Sequence, residues 1–179
     1  MTCISPLQRH RDCACDPAVH IAAAAERHHD ELVVRYRLTG LATIVIPSRQ
    51  EASRADGLWR HTCFEAFIRG SSGEGYVELN FSPSGQWAAY MFSGYRSGMA
   101  NAEEVRPEMA LDCTSDCLEF VGRANLGPVP QLGRAEMWHV GLAAVIEETG
   151  GRLSYWALVH PTGKPDFHHR DGFALALSQ

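Results

Sequence analysis

A chain of 179 residues, 45% hydrophobic and 21% charged, is long enough to bury a core without disulfide or metal staples and too apolar to be disordered. Its net charge is −5 and its arginines stand singly, so the basic stripe of a nucleic-acid or anionic-membrane binder is missing. No segment approaches the roughly 18–20 apolar residues of a membrane-spanning helix, and the composition reads as one domain.

The opening, MTCISPLQRHRDCACDP, places His10, Arg11 and Asp12 where a secretory signal would carry its apolar core, so no signal peptide is expected. A cytoplasmic chain with reduced thiols at Cys3, Cys13, Cys15, Cys63, Cys113 and Cys117 is the expectation that follows. Asp16 is a candidate N-cap with Pro17 at the first helical position, and the alanine-rich stretch from Val19 to His29 then predicts a short N-terminal helix. From Glu31 to Thr39 the period changes to two, with Leu32, Val34, Tyr36 and Leu38 on one face of a half-buried strand. Gly40 and the β-branched run Thr43-Ile44-Val45-Ile46 predict a turn and a second strand.

A polar stretch from Ser48 to Gly57 leads into a third strand over Trp59 to Arg69, and a glycine-serine turn separates it from Tyr76 to Phe81. Ser82-Pro83-Ser84-Gly85 is a turn, and Trp87 to Phe92 is the next strand of a meander. Ser93 to Pro107 is irregular. Strands resume over Met109 to Cys113, Leu118 to Leu126, Met137 to Ile146, Ser154 to His160 and Phe173 to Leu177. Many short strands at this spacing predict a mostly β protein, a sandwich or barrel, carrying one short N-terminal helix.

Several residue groups could carry chemistry. Nine histidines include the neighbours His28-His29 and His168-His169, but neighbours on a strand point to opposite faces, and the Cys13-x-Cys15 spacing is not that of a structural zinc site; no metal is predicted. Cys63, inside a strand beside Phe64, reads as a small core hydrophobe, with His61 two residues away keeping a nucleophile in view. No catalytic residue is assigned. Glu65 and Glu78 fall on sequential strands, each sharing a face with His61 and Cys63 or with Tyr76 and Asn80, so register pairing would gather both carboxylates and Asn80 into one patch. That patch is either a binding site or a solvated sheet face. Trp59 beside Arg60, Tyr95 beside Arg96, and Phe167 amid His168, Arg170 and Asp171 mix rings with hydrogen-bonding groups in loops, a combination suited to a planar or sugar-like ligand.

The runs Leu58-Trp59-Arg60-His61-Thr62-Cys63-Phe64-Glu65-Ala66-Phe67 and Tyr76-Val77-Glu78-Leu79-Asn80-Phe81-Ser82-Pro83-Ser84-Gly85-Gln86-Trp87, then Gly94-Tyr95-Arg96, Tyr155-Trp156-Ala157-Leu158, His160 and Lys164-Pro165-Asp166-Phe167-His168, resemble the small bacterial DOMON-like proteins over about residues 30–177. The resemblance implies a two-sheet antiparallel β-sandwich related to DOMON domains and to family 9 carbohydrate-binding modules, whose members bind haem or sugars. Those relatives are mostly secreted or tethered. No haem pair transfers by position, although Met91, Met99 and His160 are present. The functional expectation is a non-catalytic binder of a small molecule, carbohydrate foremost, through Trp59, His61, Glu65, Glu78, Asn80, Tyr95, Arg96, Lys164 and His168. The alternatives are a haem-binding domain, a protein-interaction module, and a hydrolase using the paired carboxylates. Oligomeric state is left open.

Overall fold

The computed structural model describes residues 4–179; Cys3 lies outside them. Thirteen strands are described: β1 (Ser5–Pro6), β2 (Gln8–Arg9), β3 (His20–His28), β4 (Glu31–Thr39), β5 (Cys63–Gly70), β6 (Tyr76–Phe81), β7 (Trp87–Phe92), β8 (Ala100–Asn101), β9 (Glu108–Cys113), β10 (Cys117–Asn125), β11 (Met137–Glu147), β12 (Leu153–Ala157) and β13 (Leu175–Ser178). They form two sheets, ordered β1-β3-β4-β10-β9 and β2-β12-β11-β5-β6-β7-β8. Strand β13 joins the second sheet on the first half of β11, whose other half pairs with β12. Every strand pair is antiparallel. No helix of the described residues is long and apolar enough to cross a membrane.

The core lies between the sheets. The smaller sheet turns Leu32, Val34, Tyr36 and Leu38 of β4 and Leu118 and Phe120 of β10 inward, and the larger answers with Phe64, Ala66 and Ile68 of β5 and Val77, Leu79 and Phe81 of β6. Tyr36 stacks on Phe64 with centroids 4.8 Å apart, and Phe120 lies 5.2 Å from Phe64 and 5.4 Å from Phe81. Gly122 makes room for this cluster, since a Cβ there would sit 3.1 Å from both phenylalanine rings. The Tyr36 hydroxyl crosses the core and donates to the Glu65 carbonyl at 2.6 Å, which fastens β5 to the opposite sheet.

Two elements differ from expectation. The helix over Val19 to His29 is strand β3, paired residue for residue with β4 across the two-residue loop His29-Asp30, where His29 takes a left-handed conformation with φ 56°. Alanine's helix preference is a few tenths of a kcal/mol per residue. The hairpin outweighs it by placing Ile21, Ala23 and Ala25 in the core. Asp16 does cap backbone, accepting from the Ala18 N–H at 2.9 Å, but the turn it closes leads into a strand. The predicted second strand over Thr43 to Ile46 is a 3-10 turn (Leu41–Thr43) followed by one isolated bridge between Ile44 and Glu148. Gly40, at φ 77°, turns the chain out of β4, and its missing side chain matters because a Cβ would lie 2.1 Å from the Ala18 carbonyl oxygen.

Candidate functional site

Alternation along β5 and β6 sends one set of side chains to the core and the other to the far face of the larger sheet. The far-face set is Cys63, Glu65 and Phe67 on β5 and Tyr76, Glu78 and Asn80 on β6, joined by Tyr90 and Phe92 of β7 and Ala143 of β11. Glu65 stands directly across from Asn80, and Glu78 is its diagonal neighbour, a position roughly 7–8 Å away in an antiparallel pair. A solvated outer face is excluded: Glu65 is 3% exposed, Glu78 5% and Asn80 fully buried.

Loops over this face do the covering. The segment before β5 lays Leu58 and Ala55 on it and is tied down by the Tyr90 hydroxyl, which donates to Asp56 at 2.6 Å. The stretch after β7 and the one before β13 meet at Asp166. Its carboxylate accepts from the Tyr95 hydroxyl at 2.6 Å, from Arg96 Nη2 at 2.9 Å and from the His168 N–H at 3.1 Å. Burial raises Asp166, but these donors prevail and hold it below the usual carboxylate range. Arg96 itself sits at φ 50°, a left-handed position unusual for a residue with a side chain.

His168 packs edge-on against Phe67, Tyr76 and Phe92. Burial, helped by the charge of Arg96, pushes it down to about 4, so the ring is neutral near pH 7. The Tyr76 oxygen accepts from the Arg96 N–H at 3.2 Å and is hydrogen-bonded to His168 Nδ1 at 2.7 Å, while His168 Nε2 stands 3.8 Å from Glu78 Oε2. Asn80 donates to Glu78 Oε1 at 2.8 Å. Burial and the nearby Glu78 charge drive Glu65 well above the normal carboxylate range. Glu78 rises too, by burial, with Asn80 and Arg96 pulling it back. Two carboxyls buried on neighbouring positions of one face disfavour carrying two negative charges at once. Glu65 Oε1 and Asn80 Oδ1 nevertheless have no hydrogen-bond partner among the described residues.

A recess of about 390 Å³ opens above Glu65 and Glu78, walled by Trp59, Phe92, Arg96, Met99, Tyr155, Phe167 and His168. His168 separates it from a second recess of about 340 Å³ bounded by Arg69, Tyr76, Tyr95, His169 and Arg170. Of the nine residues expected from sequence, Trp59, Glu65, Glu78, Arg96 and His168 line the first recess, Asn80 lies beneath it, and Tyr95 borders the second. Two are not brought in. His61 is an exposed ring 2.7 Å from Glu147, because it follows the 3-10 turn Leu58–Arg60 and the alternation of β5 does not reach it. Lys164 is exposed and borders neither recess. Asp166, Tyr76 and Tyr155 were outside the expected set; Tyr76 was readable, two residues before Glu78 on the same strand face.

Other chemistries find little footing here. Cys63 is wholly buried and its thiol is pushed well up, by burial first and the Glu65 charge second, which leaves it a core residue. No group of three or more metal-ligating side chains clusters among the described residues. The side chains do not fit haem. Met91 packs into the core and His160 Nε2 donates to the Gln8 carbonyl at 2.7 Å. Met99 and His168 do border the recess, but an iron would have to displace Tyr76 or Glu78 from the His168 nitrogens, beside two buried carboxyls that repel propionates.

Fold and site together define a β-sandwich with a covered, polar-floored and aromatic-walled recess on one sheet face. No family model matches the chain, and no curated protein matches it. Solved structures do. A candidate carbohydrate-binding protein from Bacteroides uniformis superposes with a TM-score of 0.65 at 12% identity, covering 99% of this chain and 86% of its own. A family 9 carbohydrate-binding module from Caldicellulosiruptor kristjanssonii in complex with cellotriose gives 0.54 at 10% identity, over 96% of this chain and 80% of the module. The same kind of module with glucose gives 0.54 at 8% identity, over 96% and 83%. At these identities the likeness is one of fold.

Proposed function

We propose that this protein binds a small hydroxyl-rich ligand, a carbohydrate or sugar-containing metabolite, in the recess over Glu65 and Glu78. The observation that carries the reading is an aromatic-walled recess floored by the buried carboxyls of Glu65 and Glu78, with Glu65 Oε1 and the oxygen of the neighbouring Asn80 lacking a hydrogen-bond partner among the described residues. An unmet buried acceptor costs roughly 1–3 kcal/mol. Sugar hydroxyls supply the missing donors, while the C–H faces of a pyranose ring lie against Trp59, Tyr155 and Phe167. The volume of about 390 Å³ suits a small ligand, and the fold neighbours solved with glucose and cellotriose agree with this class.

Isothermal titration calorimetry against a panel of mono- and oligosaccharides tests it. Binding by at least one sugar is expected, weakened about 10-fold or more by Trp59→Ala and by Glu78→Gln, with both variants folded by circular dichroism. A folded protein that binds no sugar in the panel overturns the reading.

A further inference from the structure

The charges around the floor do not balance. Two carboxyls, Glu65 and Glu78, face one recess, and Arg96, which borders it, already gives its guanidinium to Asp166 at 2.9 Å. His168 is uncharged near neutral pH and its Nε2 stands 3.8 Å from Glu78 Oε2, too far for a hydrogen bond. Three acceptors therefore lie on neighbouring positions without a close donor: Glu65 Oε1, Asn80 Oδ1 and Glu78 Oε2. Asn80 donates an N–H to Glu78 Oε1 at 2.8 Å and pairs across the strands with Glu65, so its side chain stands between the two carboxyls. Buried carboxyls in this position reach neutrality in one of two ways, by holding a proton or by receiving a cation. A proton satisfies one acceptor. An ammonium carries three donors in tetrahedral array and a full positive charge.

We propose that the ligand of this recess is an amino sugar whose primary ammonium group is received between Glu65 and Glu78 with Asn80 Oδ1 as its third acceptor, a specificity that rests on the carbohydrate reading above. The ring carrying that nitrogen lies against Trp59 and Tyr155, whose faces also favour a nearby cation. Because burial raises both carboxyls, an ammonium entering between them displaces protons from the pair, the N–H···O contacts replacing them. N-acetylation removes both the charge and two of the donors, so acetylated sugars lose this contact and add bulk where the carboxyls crowd.

Calorimetry at about pH 6 on the whole chain compares gluco, galacto and manno sugars, each as the 2-amino sugar, the parent sugar and the N-acetyl derivative. In the configuration that binds, the amino sugar is expected to be at least ~10-fold tighter than its parent and tighter still than its N-acetyl form. The preference shrinks as sodium chloride is raised. Repeating the titration in buffers of different ionisation enthalpy should read proton release on binding. Glu65→Gln should bring the ratio of amino to parent sugar toward one, and the wild-type panel stands even if that variant fails to fold. Parent or N-acetyl sugars binding as tightly as the amines overturn the ammonium assignment and leave the carbohydrate reading intact. A folded protein that ignores all nine compounds overturns the ammonium assignment, and one that also ignores the full panel of mono- and oligosaccharides overturns both.

Discussion

The carboxyl pair makes stability fall with rising pH in a window where most small proteins are flat. Glu65 and Glu78 are raised in the folded state, so above the unfolded carboxylate value the native protein binds more protons than the unfolded chain. Stability is then lost as pH rises, by about 1.4 kcal/mol per pH unit for each retained proton, until the folded pair releases it. His168 acts with the opposite sign, because its depression to about 4 makes the unfolded chain the better proton binder between there and the ordinary histidine value. The two slopes oppose each other up to roughly pH 6.5, and from roughly pH 7 upward His168 is neutral in both states and no longer offsets the carboxyl slope, to which the buried Cys63 thiol adds only as pH nears the ordinary thiol value. Urea unfolding followed by tryptophan fluorescence across that window should show wild-type stability falling as pH rises, with a slope of up to about 1.4 kcal/mol per pH unit while a proton is retained. Glu65→Gln should flatten the curve. A wild-type protein with constant stability from roughly pH 7 to 8.5, or a Glu65→Gln variant that keeps the slope, would refute the shared buried proton.

Two further outcomes are expected. Tyr36→Phe removes the hydrogen bond that crosses the core to the Glu65 carbonyl at 2.6 Å and should cost about 1–2 kcal/mol in chemical denaturation, with ligand affinity falling because β5 is less firmly held. Asp166→Ala unties Tyr95, Arg96 and the His168 backbone together; hydrogen exchange should quicken over residues 93–99 and 160–173 while the amides of β5 and β6 stay protected, and protection unchanged in both loops would count against Asp166 as their tie.

What was legible in the sequence follows from how local each signal is. Tyr76–Phe81 and Trp87–Phe92 have the ends expected of them because turn chemistry brackets a clean two-residue alternation. The same parity placed Glu65, Glu78 and Asn80 on one face, and the register agrees. It failed at His61, which precedes the strand, and it failed for β3, whose alanines carry no alternation to read and whose identity depends on the partner strand β4. Burial of the carboxyls was not legible at all. It depends on loops far away in sequence, and their junction at Asp166 joins positions some seventy residues apart, with |i−j| of 71 for Tyr95 and 70 for Arg96.

Central strands covered on both faces normally read as continuous apolar runs, and β6 departs from that at Glu78 and Asn80 as β5 does at Glu65. Neighbours on the same face obey it, with Cys63, Phe67 and Tyr76 packed against Phe92 and Phe173. Three buried polar side chains in one contiguous patch therefore oppose folding, since apolar groups of similar volume are often neutral or stabilising by about 1–4 kcal/mol when they replace a buried charged set. Glu65→Met with Glu78→Met should follow that rule: a midpoint of urea unfolding equal to or above that of the wild type, a stability curve flat from roughly pH 7 to 8.5, and no measurable sugar binding. Such a protein would be better folded and functionless, the signature of residues kept for a ligand. A double variant that unfolds more easily than the wild type would mean instead that the carboxyls hold the loops over the sheet, and the patch would then be structural.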